Sequence, residues 1–391
     1  MTSILEQEAD NNTLRPSSTS FPRKQIVVSS VVDDALSFEN IWNELTEESH
    51  KEIQLKSLKE AFDHHFESSS RYQDYASRLG ILGCPEDPND IPLLSTRSFK
   101  HSKIISVPEV AVEQWYTSSG TSGTKSRVGR DRLTLERLIG SVKCGSELID
   151  EWYEEEFSIV NLGPSKEEAG STWFQYVLSL TELLYPTFSV QVGDIIDWPK
   201  TTSLIASLLA EGQKVGIVGP PFLLYNLCRH IDTTSNYLCG RDRITVITAG
   251  GWKSYSGERI SRQALSKLAI KSLGLEAPNQ VRDAFSQVEL NTIFFECSSL
   301  HKHVPPWVYA SARDPISMMP VADGEIGVLC YIDTSANSYP AMIMTDDIGV
   351  VRTGVCECGR YSVTVDVLRR LETRSIRGCA LSTEVNLAQG N

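Results

Sequence analysis

The segment Tyr116-Thr117-Ser118-Ser119-Gly120-Thr121-Ser122-Gly123-Thr124-Lys125-Ser126 decides how this chain is read. Glycines let a backbone come close to phosphates, and hydroxyl and N–H groups donate to phosphate oxygens. Lys125 supplies a compact charge to set against a triphosphate. A Walker loop keeps four residues between its glycines ahead of Lys-Ser. Here only Thr121 and Ser122 separate Gly120 from Gly123, so the loop is of another kind. Many short Ser/Gly-rich stretches are plain flexible loops. The density of hydroxyls, the lysine and the preceding Trp115-Tyr116 favour a phosphate cradle.

Upstream, residues 37–78 carry Phe38, Ile41, Trp42 and Leu45, then Ile53, Leu55, Leu58 and Phe62, mostly at three- and four-residue steps, which predicts helix. Residues 80–92 hold Gly83, Pro85, Pro88 and Asn89 and predict a loop. Residues 1–30 are rich in Ser, Thr, Asn and Pro and are expected to form a flexible N-terminal arm. Downstream, the apolar runs 157–162, 214–218 and 244–248 predict buried strands, with helices at 202–209, 222–228 and 261–269 between them. That alternation predicts a mostly parallel sheet covered on both faces. Beyond Asp323 the pattern turns to strands, at 327–332, 341–345 and 361–367. The chain contains no internal repeat, and residues 31–391 are read as one α/β unit with subdomains.

With 391 residues, 41% hydrophobic and 22% charged, the chain can bury an ample core. A formal net charge of −13 argues against nucleic acid or an anionic membrane surface as partner. An anionic substrate must then be held by local groups. No apolar run reaches the roughly 20 residues needed to span a bilayer, and no basic-then-apolar leader opens the sequence. Nine irregularly spaced cysteines read as reduced thiols, so the cytoplasm is the expected location.

The phosphate loop resembles that of the adenylate-forming superfamily, which includes acyl-CoA synthetases and adenylation domains. The run Arg130-Asp131-Arg132-Leu133-Thr134-Leu135-Glu136-Arg137-Leu138 is closer to one branch, the acyl-protein synthetases of the bacterial bioluminescence fatty-acid reductase complex. Gly250-Gly251-Trp252-Lys253, Phe285-Ser286-Gln287-Val288-Glu289-Leu290-Asn291 and Lys302-His303-Val304-Pro305-Pro306-Trp307 are similar to the same branch. So are Ser338-Tyr339-Pro340, Thr345-Asp346-Asp347-Ile348-Gly349 and Arg377-Gly378-Cys379-Ala380. The likeness runs from about residue 31 to the end. It implies the large N-terminal-type domain of adenylate-forming enzymes, with parallel-sheet subdomains plus a smaller β-rich subdomain. It also implies that the usual C-terminal lid domain is lacking.

The resemblance further implies ATP and Mg²⁺ as cofactors and a carboxylic acid, in this branch a fatty acid, as substrate. Thr117, Ser118, Ser119, Gly120, Thr121, Ser122, Gly123 and Thr124 would cradle ATP, with Lys125 against its phosphates. Glu289 would help hold Mg²⁺; its alternative is an ordinary salt-bridged glutamate. Asp347 would take both ribose hydroxyls, a carboxylate being acceptor-only. Asp346 stands where a small residue is usual, which leaves the choice between the two carboxylates open. Gly250 and Gly251 would lie against adenine and the acyl pocket, or else form only a tight turn.

Cys379 would receive the acyl group as a thioester. Arg369, Arg370, Arg374 and Arg377 crowd its approach and would favour the thiolate. A protein partner of the acyl-CoA reductase type is implied. The alternatives are a carboxylate–CoA or carboxylate–carrier-protein ligase, and a non-catalytic adenylate-binding subunit.

One constellation stands apart. Cys356-Glu357-Cys358-Gly359-Arg360 resembles the Cys-x-Cys-Gly-Arg of phenylacetate-CoA-ligase-like proteins, some of which also carry Glu-Cys followed by His, as Glu296-Cys297 and His303 do. Cys297, His303, Cys356 and Cys358 would close a structural Zn²⁺ site, with His301 a rival fourth ligand. The other reading is unrelated thiols. Cys84, Cys144, Cys228, Cys239 and Cys330 have no partner spacing and are expected to be buried structural thiols.

Overall fold

The computed structural model describes residues 30–119, 124–149, 157–251 and 260–370. The helical periodicity of the N-terminal region resolves into several helices, because Thr46 and Ser69 interrupt it. The longest, α1 (Glu47–Ser68), starts at Thr46, whose hydroxyl accepts from Ser49 N at 3.2 Å while the Ser49 hydroxyl accepts from Thr46 N at 3.0 Å. Leu58, Ala61 and Phe62 form its buried stripe.

The phosphate-loop candidate joins β1 (Val112–Thr117) to β2 (Arg127–Asp131), an antiparallel pair. Asp131 then caps α2 (Arg132–Ser146) by accepting from Thr134 N at 2.9 Å.

The apolar runs of the middle of the chain become one sheet. Its strands are β3 (Phe157–Asn161), β4 (Thr187–Ser189), β5 (Lys214–Gly219), β6 (Ile244–Ala249), β7 (Val281–Phe285) and β8 (Phe294–Phe295). The order is β8-β7-β6-β5-β3-β4, parallel except for β8. Strand alternation sends Ile244 and Val246 of β6 into one buried layer and Ile247 and Ala249 into the other. The first layer is filled by α3 (Trp198–Ala210), α4 (Pro221–Thr234) and α5 (Arg262–Leu273); α2 packs into the second. Both faces are covered, which is why these strands read as continuous apolar runs. The helices extend past their expected ends: Asp197 caps α3 through Lys200 N at 2.9 Å, and Pro221 occupies the first turn of α4.

The C-terminal part is an antiparallel sheet of β9 (Lys302–Val304), β10 (Val308–Arg313), β11 (Ile326–Asp333), β12 (Met342–Val355) and β13 (Tyr361–Arg370), in the order β9-β13-β12-β11-β10. Strand structure thus begins well before Asp323. β12 is also much longer than the expected 341–345, because pairing with β13 from Asp347 onward, and with β11 again from Ile348 after an irregularity, carries it through residues where no apolar alternation exists. A Glu296–Lys302 bridge joins the two sheets. No described helix is long and apolar enough to cross a membrane.

Candidate active site

Hairpin β1–β2 brings the two ends of the phosphate loop together. Ser118 N donates to Ser126 O at 3.1 Å, and Ser126 N donates to the Ser118 hydroxyl at 3.2 Å. Thr117 N is tied to Ser171 O at 2.9 Å. Thr117, Ser118, Ser119, Thr124 and Lys125 are among the described residues, with Thr124 and Lys125 exposed; Gly120, Thr121, Ser122 and Gly123 lie outside them.

The buried Ser126 hydroxyl is hydrogen-bonded to the Glu289 carboxylate. Glu289 is only 6% exposed. Burial pushes its carboxyl above the usual range, against the Ser126 hydrogen bond and the positive charges of Arg370 and Lys100. A carboxylate and a hydroxyl are oxygen donors of the kind a hard cation prefers, and a cation there would relieve the penalty of burial. The pair therefore fits Mg²⁺.

Two residues before Glu289, Gln287 Nε2 donates to Asp347 Oδ2 at 2.7 Å. Asp347 is buried, and its own N–H donates to the Thr345 hydroxyl at 3.0 Å. Neighbours on a strand face opposite sides. Asp347 accordingly turns to Gln287, whereas Asp346 keeps 24% side-chain exposure and stands 3.9 Å from Arg370 Nη2. Arg370, paired in register with Asp347, also brings Nε to 3.8 Å from Asp347 Oδ1. The loop, Glu289 and Asp347 are thus joined through Ser126 and Gln287, across more than 200 residues of sequence.

Gly250 follows the last residue of β6 with φ +76°, and a Cβ there would come within 2.9 Å of Phe174 Cε2. The position demands glycine. Gly251 has open space, and Trp252 lies outside the described residues. Beside Gly250 is a mainly apolar cavity lined by Val218, Ile247, Ala249, Phe174, Ile293 and Phe295. It sits at the carboxyl ends of β5, β6 and β7, next to the point where strand order reverses around β3, the usual ligand position in an open α/β sheet.

Sequence reasoning missed Arg130. It is fully buried, donates from Nη2 to Val288 O and Leu290 O at 2.8 Å each and from Nε to Asn291 Oδ1 at 3.1 Å, and lies 3.6 Å from the centre of the Trp173 ring. Its Nη1 has no hydrogen-bond partner. The two carbonyls flank Glu289, so Arg130 fixes the backbone that presents this carboxylate. Arg130 stands in the quoted run 130–138, but no local pattern distinguishes a buried arginine from a solvated one.

The thiols sort differently. Cys297, His303, Cys356 and Cys358 converge, each offering a ligand atom within 4.8 Å of the others. His301, the rival ligand, faces Asp366 at 3.8 Å instead. The eight described cysteines are free. Cys144, Cys228 and Cys330 are buried as expected, but Cys84 is only half-buried and Cys239 is exposed, because it lies in the loop after α4 rather than on an apolar face. Cys379, Arg374 and Arg377 lie outside the described residues, as does the expected arm at 1–30 except for Ser30, which caps the helix Val31–Ser37.

The sequence profile described as "Acyl-protein synthetase, LuxE" matches residues 18–388. A long-chain-fatty-acid–luciferin-component ligase of Aliivibrio fischeri is 43% identical over 374 residues, 95% of this chain and 98% of that protein. A protein of the same description from Vibrio harveyi is 39% identical over 360 residues, 92% and 94% of the two chains. Among solved structures, an open conformation of 2-hydroxyisobutyryl-CoA ligase in complex with 2-HIB-AMP and CoA has a TM-score of 0.62 and 15% identity, covering 85% of this chain and 78% of that one. At that identity the likeness is one of fold.

Proposed function

Because the chain belongs to the LuxE acyl-protein synthetase family, we propose that it uses ATP to turn a long-chain fatty acid into its acyl-adenylate and then takes the acyl group onto its own Cys379. The observation that carries the reading is the linkage of Ser126, Glu289, Gln287 and Asp347 into one buried arrangement at the mouth of the phosphate loop. A carboxylate oxygen of the fatty acid attacks the α-phosphorus of ATP, and the bond to pyrophosphate breaks. The Cys379 thiolate then attacks the acyl carbonyl and AMP departs, leaving a thioester.

Bound Mg²⁺ would supply positive charge that offsets the repulsion between triphosphate and carboxylate. Glu289 and Ser126 supply oxygens for it. Lys125 and the N–H and hydroxyl groups of 117–124 bind the phosphates. Asp347, steadied by Gln287, accepts from the ribose hydroxyls. Gly250 and Gly251 border adenine, and the apolar cavity beside Gly250 takes the acyl chain. Arg370 lies beside Asp347, and the nine residues from it to Cys379 can span at most about 30 Å, so the thiol is within reach of an adenylate bound there. On this reading the segment bearing Cys379 does the acceptor's work, and the acyl group passes onward to a reductase partner.

The test is intact-protein mass spectrometry after incubation with ATP, Mg²⁺ and a panel of fatty acids, with Cys379→Ser alongside. One acyl mass on the wild type, released by hydroxylamine and absent from the variant, is expected. Pyrophosphate release with no adduct on either protein would remove Cys379 from the reaction and leave a ligase acting on a free or carrier thiol.

A further inference from the structure

We propose that Cys297, His303, Cys356 and Cys358 bind one zinc ion, which clamps the parallel and antiparallel sheets together. Tetrahedral zinc takes bonds of about 2.3 Å to sulfur and about 2.0–2.1 Å to nitrogen. At the tetrahedral angle those lengths separate two sulfurs by about 3.8 Å, and a sulfur from a nitrogen by about 3.5–3.6 Å. The Cys297 and Cys356 sulfurs are 3.8 Å apart, and Cys358 Sγ is 3.5 Å from His303 Nε2. Both separations are edges of a zinc tetrahedron. A disulfide would require about 2.05 Å, little more than half the observed distance between the sulfurs.

The backbone explains why these atoms converge. Cys356 N donates to Arg360 O at 2.9 Å, and Gly359 N donates to Cys356 O at 2.8 Å, so the β12–β13 hairpin ends in a tight turn bearing two thiols. Gly359, at φ +86°, makes that turn possible. On the other side, Cys297 N donates to His301 O at 3.0 Å, which folds the chain back from β8 into β9. In β9, Lys302 turns to Asp283 and Glu296, so His303 emerges on the opposite side, toward the thiols. Trp42 packs edge-on against the imidazole, with centroids 5.5 Å apart, and holds its orientation.

The donor set selects the metal. Three thiolates and an imidazole suit zinc, whereas Mg²⁺ and Ca²⁺ require oxygen. Four protein ligands close the coordination shell, so the site is structural and separate from Glu289. Binding releases three thiol protons and leaves a net charge of −1, which the neighbouring Arg360 guanidinium offsets. The ion would tie the turn after β8, which ends the parallel sheet, to the hairpin of the strands bearing Asp347 and Arg370.

The experiment is metal analysis of the full chain, purified without a metal-affinity tag and dialysed against metal-free buffer, together with a thiol count under denaturing conditions. One zinc per chain with every cysteine reduced is expected. A mercurial reagent should release that zinc to an indicator dye. Cys356→Ser and Cys358→Ser should lose it, and Cys330→Ser, whose thiol is buried elsewhere, should keep it. Because the wild type decides the matter, misfolding of a variant does not spare the proposal. A metal-free wild type, copper or iron in zinc's place, or two missing thiols from a Cys297–Cys356 disulfide would each overturn it.

Discussion

Replacing Arg130 by methionine tests the buried framework behind Glu289. Arg130 donates to Val288 O, Leu290 O, Asn291 Oδ1 and the Tyr339 hydroxyl at 2.8–3.1 Å. Methionine fills similar volume but donates nothing. Two backbone carbonyls would be left buried and unpaired, at about 1–3 kcal/mol each. The stacking of the guanidinium on Trp173, worth about 2 kcal/mol when desolvated, disappears as well. Against these losses, removal of a buried cation returns part of its desolvation penalty. The net expectation is a destabilisation of about 3 kcal/mol, read as a lower urea midpoint with an unchanged slope.

Activity should suffer more. Val288 and Leu290 bracket Glu289, and a carboxylate displaced by about 1 Å costs on the order of 100-fold in kcat. ATP–pyrophosphate exchange, measured well below the unfolding midpoint, reads that loss. Arg130→Lys keeps the charge and one carbonyl, and should fall between the two. A methionine variant with wild-type midpoint and exchange rate would refute the idea that Arg130 positions Glu289.

Asp347→Asn keeps an acceptor for Gln287 but loses the charge offered to two hydroxyls; KM for ATP should rise about 10-fold or more while the fold stays intact, and an unchanged KM would move ribose binding elsewhere. Gly250→Ala must hold an L-residue at φ +76°, about 1–2 kcal/mol, and push Phe174 aside, so it should raise KM for long-chain acids more than for short ones. His50 and His65 have folded pKa values lowered, chiefly by burial, to about 4 and about 3. The unfolded chain, titrating near 6.5, binds extra protons below that pH, so their contribution is intact above pH 6.5 and lost as pH falls toward the folded values. On the order of 2 kcal/mol per histidine should disappear between pH 7 and pH 5, flattened in His65→Gln; a pH-independent urea midpoint over that range would contradict it.

The parts of this protein readable from sequence are those whose cause is local. Glycines and hydroxyls around Lys125 are enough by themselves to suggest a phosphate cradle, and a Cys-x-Cys turn is enough to suggest half a tetrahedral site. Strands buried on both faces show as unbroken apolar runs, which is why β3, β5 and β6 were found within a residue of their ends. The tertiary structure decided whatever depends on distant partners. Asp347 rather than Asp346 turns inward because the pairing of Asp347 with Arg370 of β13 orients it, and Gln287 meets its carboxylate. His303 rather than His301 joins the thiols because His303 lies within β9, whereas His301 precedes the strand and faces Asp366. Arg130 reaches Asn291 across 161 residues, and no periodicity in either segment encodes that contact. Short-range chemistry is written in neighbouring residues, whereas a buried cation or a choice between adjacent carboxylates is settled only when packing determines which groups lose their water.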